Sequence, residues 1–108
     1  MRDSEKVTRA LSLIGICKKA GRLTCGVPLV CDALREGHIR LVVFAAGAAE
    51  NSVKRVTDKA KSYHTPALVL AVTPEALGHA VGKGDSAVAA VGIGDAGFAA
   101  ALQKLLQD

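Results

Sequence analysis

The chain has 108 residues, half of them apolar but only 3% aromatic, and a formal net charge of +4. Its length suits a single domain spanning residues 1–108, and no apolar run reaches the roughly 18 residues that a membrane span needs. So few aromatics argue against a surface that stacks successive bases on rings, and they leave the core to Val, Leu, Ile and Ala.

The charge is unevenly placed. Residues 1–61 hold 12 Lys/Arg against 6 Asp/Glu, whereas residues 62–108 hold 2 against 4. The basic character is thus concentrated in the first part of the chain, which fits a polyanionic partner and equally a solvated charged face. The opening "MRDSEKVTRA" is charged and leads into no long apolar core, so no secretory signal is expected. Three cysteines without C-x-x-C pairing read as reduced thiols of a cytoplasmic protein rather than as a disulfide or zinc framework.

In chain order, "SEKVTRALSLIGICKKAG" places Val7, Ala10, Leu11, Ile14 and Cys17 at steps of three and four, one stripe of a helix. Asp3 or Ser4 suits its cap, Lys18 and Lys19 its last turn, and Gly21 its stop. "RLTCG" reads as a short extended link or small edge strand. A second helix follows, with Pro28 in its first turn, Leu29, Val30, Ala33 and Leu34 as its buried stripe, and Gly37 at its end. "IRLVVFAAG" reads as a central strand covered on both faces. "ENSVKRVTDKAKSYH" returns to helical period with Val53, Val56 and Ala60 inward and Asn51 or Ser52 as cap. "PALVLAV" reads as another buried strand, "TPEALGHAVG" as a short helix capped by Thr73, and "KGDS" as a tight polar loop. "AVAAVGI" is a third main strand, so low in bulk that something must pack closely on it. "GDAGFAAALQKLLQD" is a closing helix that buries Phe98, Leu102, Leu105 and Leu106. This order predicts an α/β fold, a three-layer α/β/α sandwich around a small mixed sheet.

The motifs do not point to catalysis. Gly92, Gly94 and Gly97 match the glycine spacing of a dinucleotide fingerprint. They lie near the C-terminal end, however, without the following strand and acidic residue such a site requires, so a close-packed turn is expected. No P-loop is present, the carboxylates are scattered, and nothing local pairs a cysteine with a histidine. What remains is surface recognition. The second helix starts at Gly26, near Lys18, Lys19 and Arg22 in sequence, and a helix start with free N–H groups is an anion site. Gly26 either admits a phosphate or base edge to the backbone or supplies an unusual backbone angle before a helix. These residues alone leave both readings open.

The stretches "LIGICKKAGRLTCG", "ALREGHIRLVVFAAGAAENSVKRVTDKAKSYHTPAL", "EALGHAVGK" and "DAGFAAAL" occur in this order. From about Val7 to Leu106 the chain resembles the kink-turn RNA-binding superfamily of large-subunit ribosomal proteins, the L-seven-Ae and L-thirty-e type, and within it the small bacterial YlxQ-like members. The resemblance implies an L-thirty-e-like α/β/α sandwich and a non-enzymatic role without cofactor or metal. It also implies an RNA contact made by the start of the second helix, Gly26 to Asp32, and by the loop Gly82 to Ser86. Carried onto this chain, the RNA-binding residues are Lys18, Lys19, Arg22, Gly26, Val27, Pro28, Leu29, Asp32, Lys83, Gly84 and Asp85.

The helix entrance departs from the family pattern, which runs glycine, any residue, asparagine, glutamate, two further residues, lysine. Pro28 and Leu29 replace the amide and carboxylate, and Asp32 replaces the lysine. Lost base-edge pairs cost on the order of 1–3 kcal/mol each. The expectation is therefore a cytoplasmic, ribosomal-protein-like binder of structured RNA, ribosomal RNA among the candidates, with altered or weakened kink-turn specificity. The alternative is a protein-interaction module that keeps the fold, has lost RNA, and meets its partner through the apolar entrance Val27, Pro28 and Leu29.

Overall fold

The run Leu41–Ala45 is buried along its whole length, and the rest of the architecture is arranged around it. The computed structural model describes residues 3–84 and 86–106. In chain order its elements are α1 (Asp3–Lys19), β1 (Leu23–Cys25), α2 (Val27–Arg35), β2 (Leu41–Ala45), α3 (Glu50–Ser62), β3 (Ala67–Leu70), α4 (Pro74–Ala80), β4 (Ala90–Ile93) and α5 (Ala96–Leu106). The strands form one mixed sheet in the order β1-β4-β2-β3. β4 runs antiparallel to both β1 and β2, and β3 runs parallel to β2.

Side chains alternate across a strand, and β2 uses both of its faces. Leu41, Val43 and Ala45 join a core with α1, α4 and α5, while Val42 and Phe44 join a second core with α2 and α3. The result is the three-layer sandwich expected from the pattern. β4 is thin for a reason. A methyl group on Gly92 would stand 2.6 Å from Cδ1 of Ile39, so the second core closes directly on its backbone. The turn at Gly94 is also close-packed, since a methyl there would meet the His38 carbonyl at 3.0 Å. Asp95 then caps α5, its Oδ2 accepting from the Phe98 N–H at 2.9 Å.

Three expectations are corrected. β3 is an edge strand, with Ala67 and Val69 exposed and Val69 64% accessible. A short apolar run does not by itself distinguish a central strand from an edge. The cap of α3 is Ala49, whose side chain makes no capping bond, and Asn51 and Ser52 lie inside the first turn. Asp3 and Ser4 are likewise the first two residues of α1. The Thr73 cap of α4 is formed as expected, Oγ1 accepting from the Ala76 N–H at 3.0 Å.

Four helices end in the same way. Beyond α1, α2, α3 and α4 stand Gly21, Gly37, His64 and Gly82, each with positive φ. In each case the next residue donates back to a carbonyl of the last turn: Arg22 to Cys17, His38 to Ala33, Thr65 to Ala60 and Lys83 to Gly78. This is the Schellman arrangement, which satisfies the terminal carbonyls and turns the chain sharply out of the helix. Three of the residues delivered by these turns, Arg22, His38 and Lys83, carry basic side chains.

Candidate functional site

Gly26 forms the entrance to α2. Its φ of 94° and ψ of 146° belong to glycine, while a side chain there would meet nothing within 4 Å. The backbone angle, not crowding, therefore demands the residue. The Gly26 N–H continues the sheet by donating to the Ala90 carbonyl at 3.0 Å, and its carbonyl accepts the first helical bond from Val30 at 2.9 Å. No side chain caps the helix, and no acid stands in its first turn. Pro28 has no N–H. The amides of Val27 and Leu29 thus present the positive end of α2 without an internal counter-charge.

Two lysines remote in sequence converge beside this entrance. Lys18 comes from the end of α1. Lys83 comes from the turn after α4, which is closed by the Ser86 N–H donating to the Lys83 carbonyl at 3.2 Å. That turn is seated on α4 so closely that a methyl on Gly78 would stand 1.8 Å from the Ser86 carbonyl oxygen. Lys18, Lys83, Cys25, Leu29 and Asp32 line one open concavity of about 380 Å³. Cys25 registers both cations. Half-burial pushes its thiol up from the ordinary value, and Lys18 and Lys83 oppose that rise. The thiol is thus largely protonated at neutral pH and is no activated nucleophile. Cys17 and Cys31 pack into cores on opposite faces of the sheet, so the three sulfurs cannot share one metal.

The structure distributes the other residues of the expected site. Lys19 lies next to the concavity, in the groove between α1 and α4 that Lys18 and Gly82 also line. Gly84 is exposed, with φ of 63°, and Asp85 lies outside the described residues. Val27 is half-buried against the second core, so the apolar lip consists of Pro28 and Leu29. Leu29, expected in the buried stripe of α2, is instead 60% exposed, and Cys31 takes the inward position. Arg22 is not in this concavity. It lines a separate one with His38 and Arg40 at the other end of β1.

Asp32 does face the concavity, but its carboxylate is paired with Arg35 at 2.5 Å, both side chains 59% exposed. An exposed pair of this kind contributes about 0–1 kcal/mol to stability. Its consequence here is electrostatic, because it blunts the repulsion an acid would offer an incoming phosphate. The i,i+3 spacing of Asp32 and Arg35 is legible in the sequence. Glu36 also lines the concavity and was not anticipated. The concavity offers two ammonium groups beside Glu36 and the Arg35-paired Asp32, with the exposed Leu29 as its apolar lip, and the open amides of the α2 start lie next to it.

Residues 8–103 match the model of the Ribosomal protein L7Ae/L30e/S12e/Gadd45 family. The chain is similar to the RNA-binding protein YlxQ of Enterococcus faecium, 32% identical over 99 residues, covering 92% of each chain. It is also similar to the RNA-binding protein YlxQ of Bacillus subtilis (strain 168), 33% identical over 94 residues, covering 87% of this chain and 91% of that one. A solved protein of unknown function from Bacillus halodurans C superposes with a TM-score of 0.83 at 32% identity, covering 92% of this chain and 97% of that one. The Giardia lamblia 15.5kD RNA binding protein shares the fold, with a TM-score of 0.73 at 17% identity over 95% of this chain and 86% of that one.

Proposed function

The chain belongs to the Ribosomal protein L7Ae/L30e/S12e/Gadd45 family, and we propose that it is a non-catalytic cytoplasmic protein that binds structured RNA. The observation that carries this reading is the meeting of Lys18 and Lys83 in one concavity along the flank of α2, next to its uncapped start. Two relatives of nearly equal length bear the name RNA-binding protein. Phosphates are held by the two ammonium groups and the amides of Val27 and Leu29, while Pro28 and Leu29 press an apolar edge against sugar or base. Such contacts position RNA without reading its sequence. A kink-turn is therefore bound with little preference over other structured RNA, because Pro28 and Leu29 stand where the family pattern has an asparagine and a glutamate.

A titration with a kink-turn hairpin and a straight duplex at two salt concentrations tests this. Affinity for both falls with salt. The Lys18→Ala and Lys83→Ala variants each lower the slope of log affinity against log salt by roughly 0.7–0.9. Absence of binding to either RNA at low salt overturns the proposal.

A second reading rests on the exposure of Leu29 beside Pro28. A protein partner seated on that lip would be retained after ribonuclease treatment and lost in Leu29→Ser.

A further inference from the structure

We propose that Arg22, His38 and Arg40 form a second anion site, for a phosphate group, at the end of β1 opposite the α2 entrance. Sheet register brings them together. Leu23 and Leu41 both pair with Ile93, so the residues before them, Arg22 and Arg40, stand on either side of Gly94. The ladder continues to them, with the Gly94 N–H donating to the Arg22 carbonyl at 2.8 Å and the Arg40 N–H donating to the Ile93 carbonyl at 2.7 Å. Two strand spacings separate their backbones by roughly 9.6 Å, a span that two arginines rising from one face can close over a single anion. Both line the same 470 Å³ concavity, with His38 as its third basic member.

The site is built on a firmly held base. The Arg22 backbone is held three times: its N–H donates to the Cys17 carbonyl at 3.0 Å, and its carbonyl accepts from Gly94 and from the Cys17 thiol, the latter at 3.2 Å. Gly94 lies between the arginines, close-packed beneath the His38 carbonyl, which a methyl there would meet at 3.0 Å. The carbonyl end of α2, which would repel an anion, is closed by the bonds from Gly37 and His38. Asp95, next to Gly94 in sequence, does not line the concavity and its carboxylate caps α5, while Glu36, two residues before His38, lines the concavity beside Lys18 and Lys83 instead. Among the described residues neither guanidinium has a hydrogen bond or ion pair. Arginine's planar fork suits bidentate contact with phosphate oxygens.

The phosphate can come from an RNA backbone, extending the interface along β1, or from a free phosphorylated molecule. The site goes beyond the RNA reading because the second source needs no RNA. Two titrations separate the sources. In the first, inorganic phosphate is added to labelled protein at constant ionic strength and the amide resonances are followed. Saturable shifts at Arg22, Gly94 and Arg40 are expected, abolished in Arg22→Gln/Arg40→Gln and kept in Lys18→Ala/Lys83→Ala. In the second, RNA binding of Arg22→Gln/Arg40→Gln is compared with wild type. A salt slope lower by roughly 0.7–0.9, restored by Arg22→Lys/Arg40→Lys, assigns the phosphate to RNA. Saturation with an unchanged RNA slope, or with no RNA binding at all, assigns it to a free ligand. If phosphate gives only the shifts that chloride gives and the RNA slope is unchanged, the site does not exist, whatever becomes of RNA binding at the α2 entrance.

Discussion

Gly78→Ala probes how the fold holds the Lys83 turn against α4. The methyl would stand 1.8 Å from the Ser86 carbonyl oxygen and 3.0 Å from its carbon. Reaching a tolerable 3.0 Å from the oxygen needs a retreat of about 1.2 Å (3.0 − 1.8). The obstacle is backbone, not the end of a side chain, so no rotamer change relieves it. The turn is also tied on both sides, by Lys83 N–H to Gly78 and Val88 N–H to Pro74. Overpacking typically costs 1–3 kcal/mol, and a backbone clash of this depth belongs at the upper end, about 2–3 kcal/mol. At about 4–8 °C per kcal/mol for a domain of this size, the midpoint of thermal unfolding should fall by roughly 10–20 °C. Urea denaturation of Gly78→Ala beside wild type measures the loss directly. The turn carries Lys83, so RNA affinity of the folded variant should fall as well. A variant within about 0.5 kcal/mol of wild type, with unchanged RNA binding, would refute the account of how the turn is seated.

Other consequences can be measured on the same protein. His64 is the one non-glycine residue with positive φ among those described, at 55°, so His64→Gly should stabilise by about 0.5–1 kcal/mol in urea, since the left-handed region costs other residues roughly 1–2. Gly92→Ala meets the tip of Ile39 at 2.6 Å and should cost about 1–3 kcal/mol. In an Ile39→Val background the tip is gone, and a double-mutant cycle should show a coupling of at least about 0.5 kcal/mol. Asp32→Asn should raise RNA affinity severalfold at low salt by freeing Arg35 and removing an acid from the concavity, and unchanged affinity would show that the pair is electrostatically silent there. Burial pushes the Cys17 thiol up to about 11 from 9.0. The unfolded chain therefore releases this proton from pH 9 upward while the folded chain keeps it, and stability falls between pH 9 and 11. Cys17→Ala should lose less stability over that range than wild type, and parallel curves would count against the shift.

Much of the fold follows from local pattern. The stripe Ala10, Ile14, Cys17 in α1, the two-sided run of β2 and the Thr73 cap each depend on neighbours within a turn or along one strand. So do the stops at Gly21 and Gly37, where the chain needs a left-handed residue. The site was legible only in pieces. Gly26, Lys18 and Lys83 stood out as residues, and the basic first part of the chain as a bias, but nothing in their spacing said that the two lysines meet.

Composition, periodicity and helix ends thus determined the order of elements and the three layers, because each signal reports a residue's own element. Tertiary structure decided the rest. Strand order put β3 at an edge and exposed Val69. The docking of α2 turned Leu29 outward and Cys31 inward. Register across β1, β4 and β2 moved Arg22 away from the lysines and placed it beside Arg40 and His38. These outcomes depend on which distant segments pair and in what alignment, and a one-residue change of register would turn every side chain to the other face of the sheet.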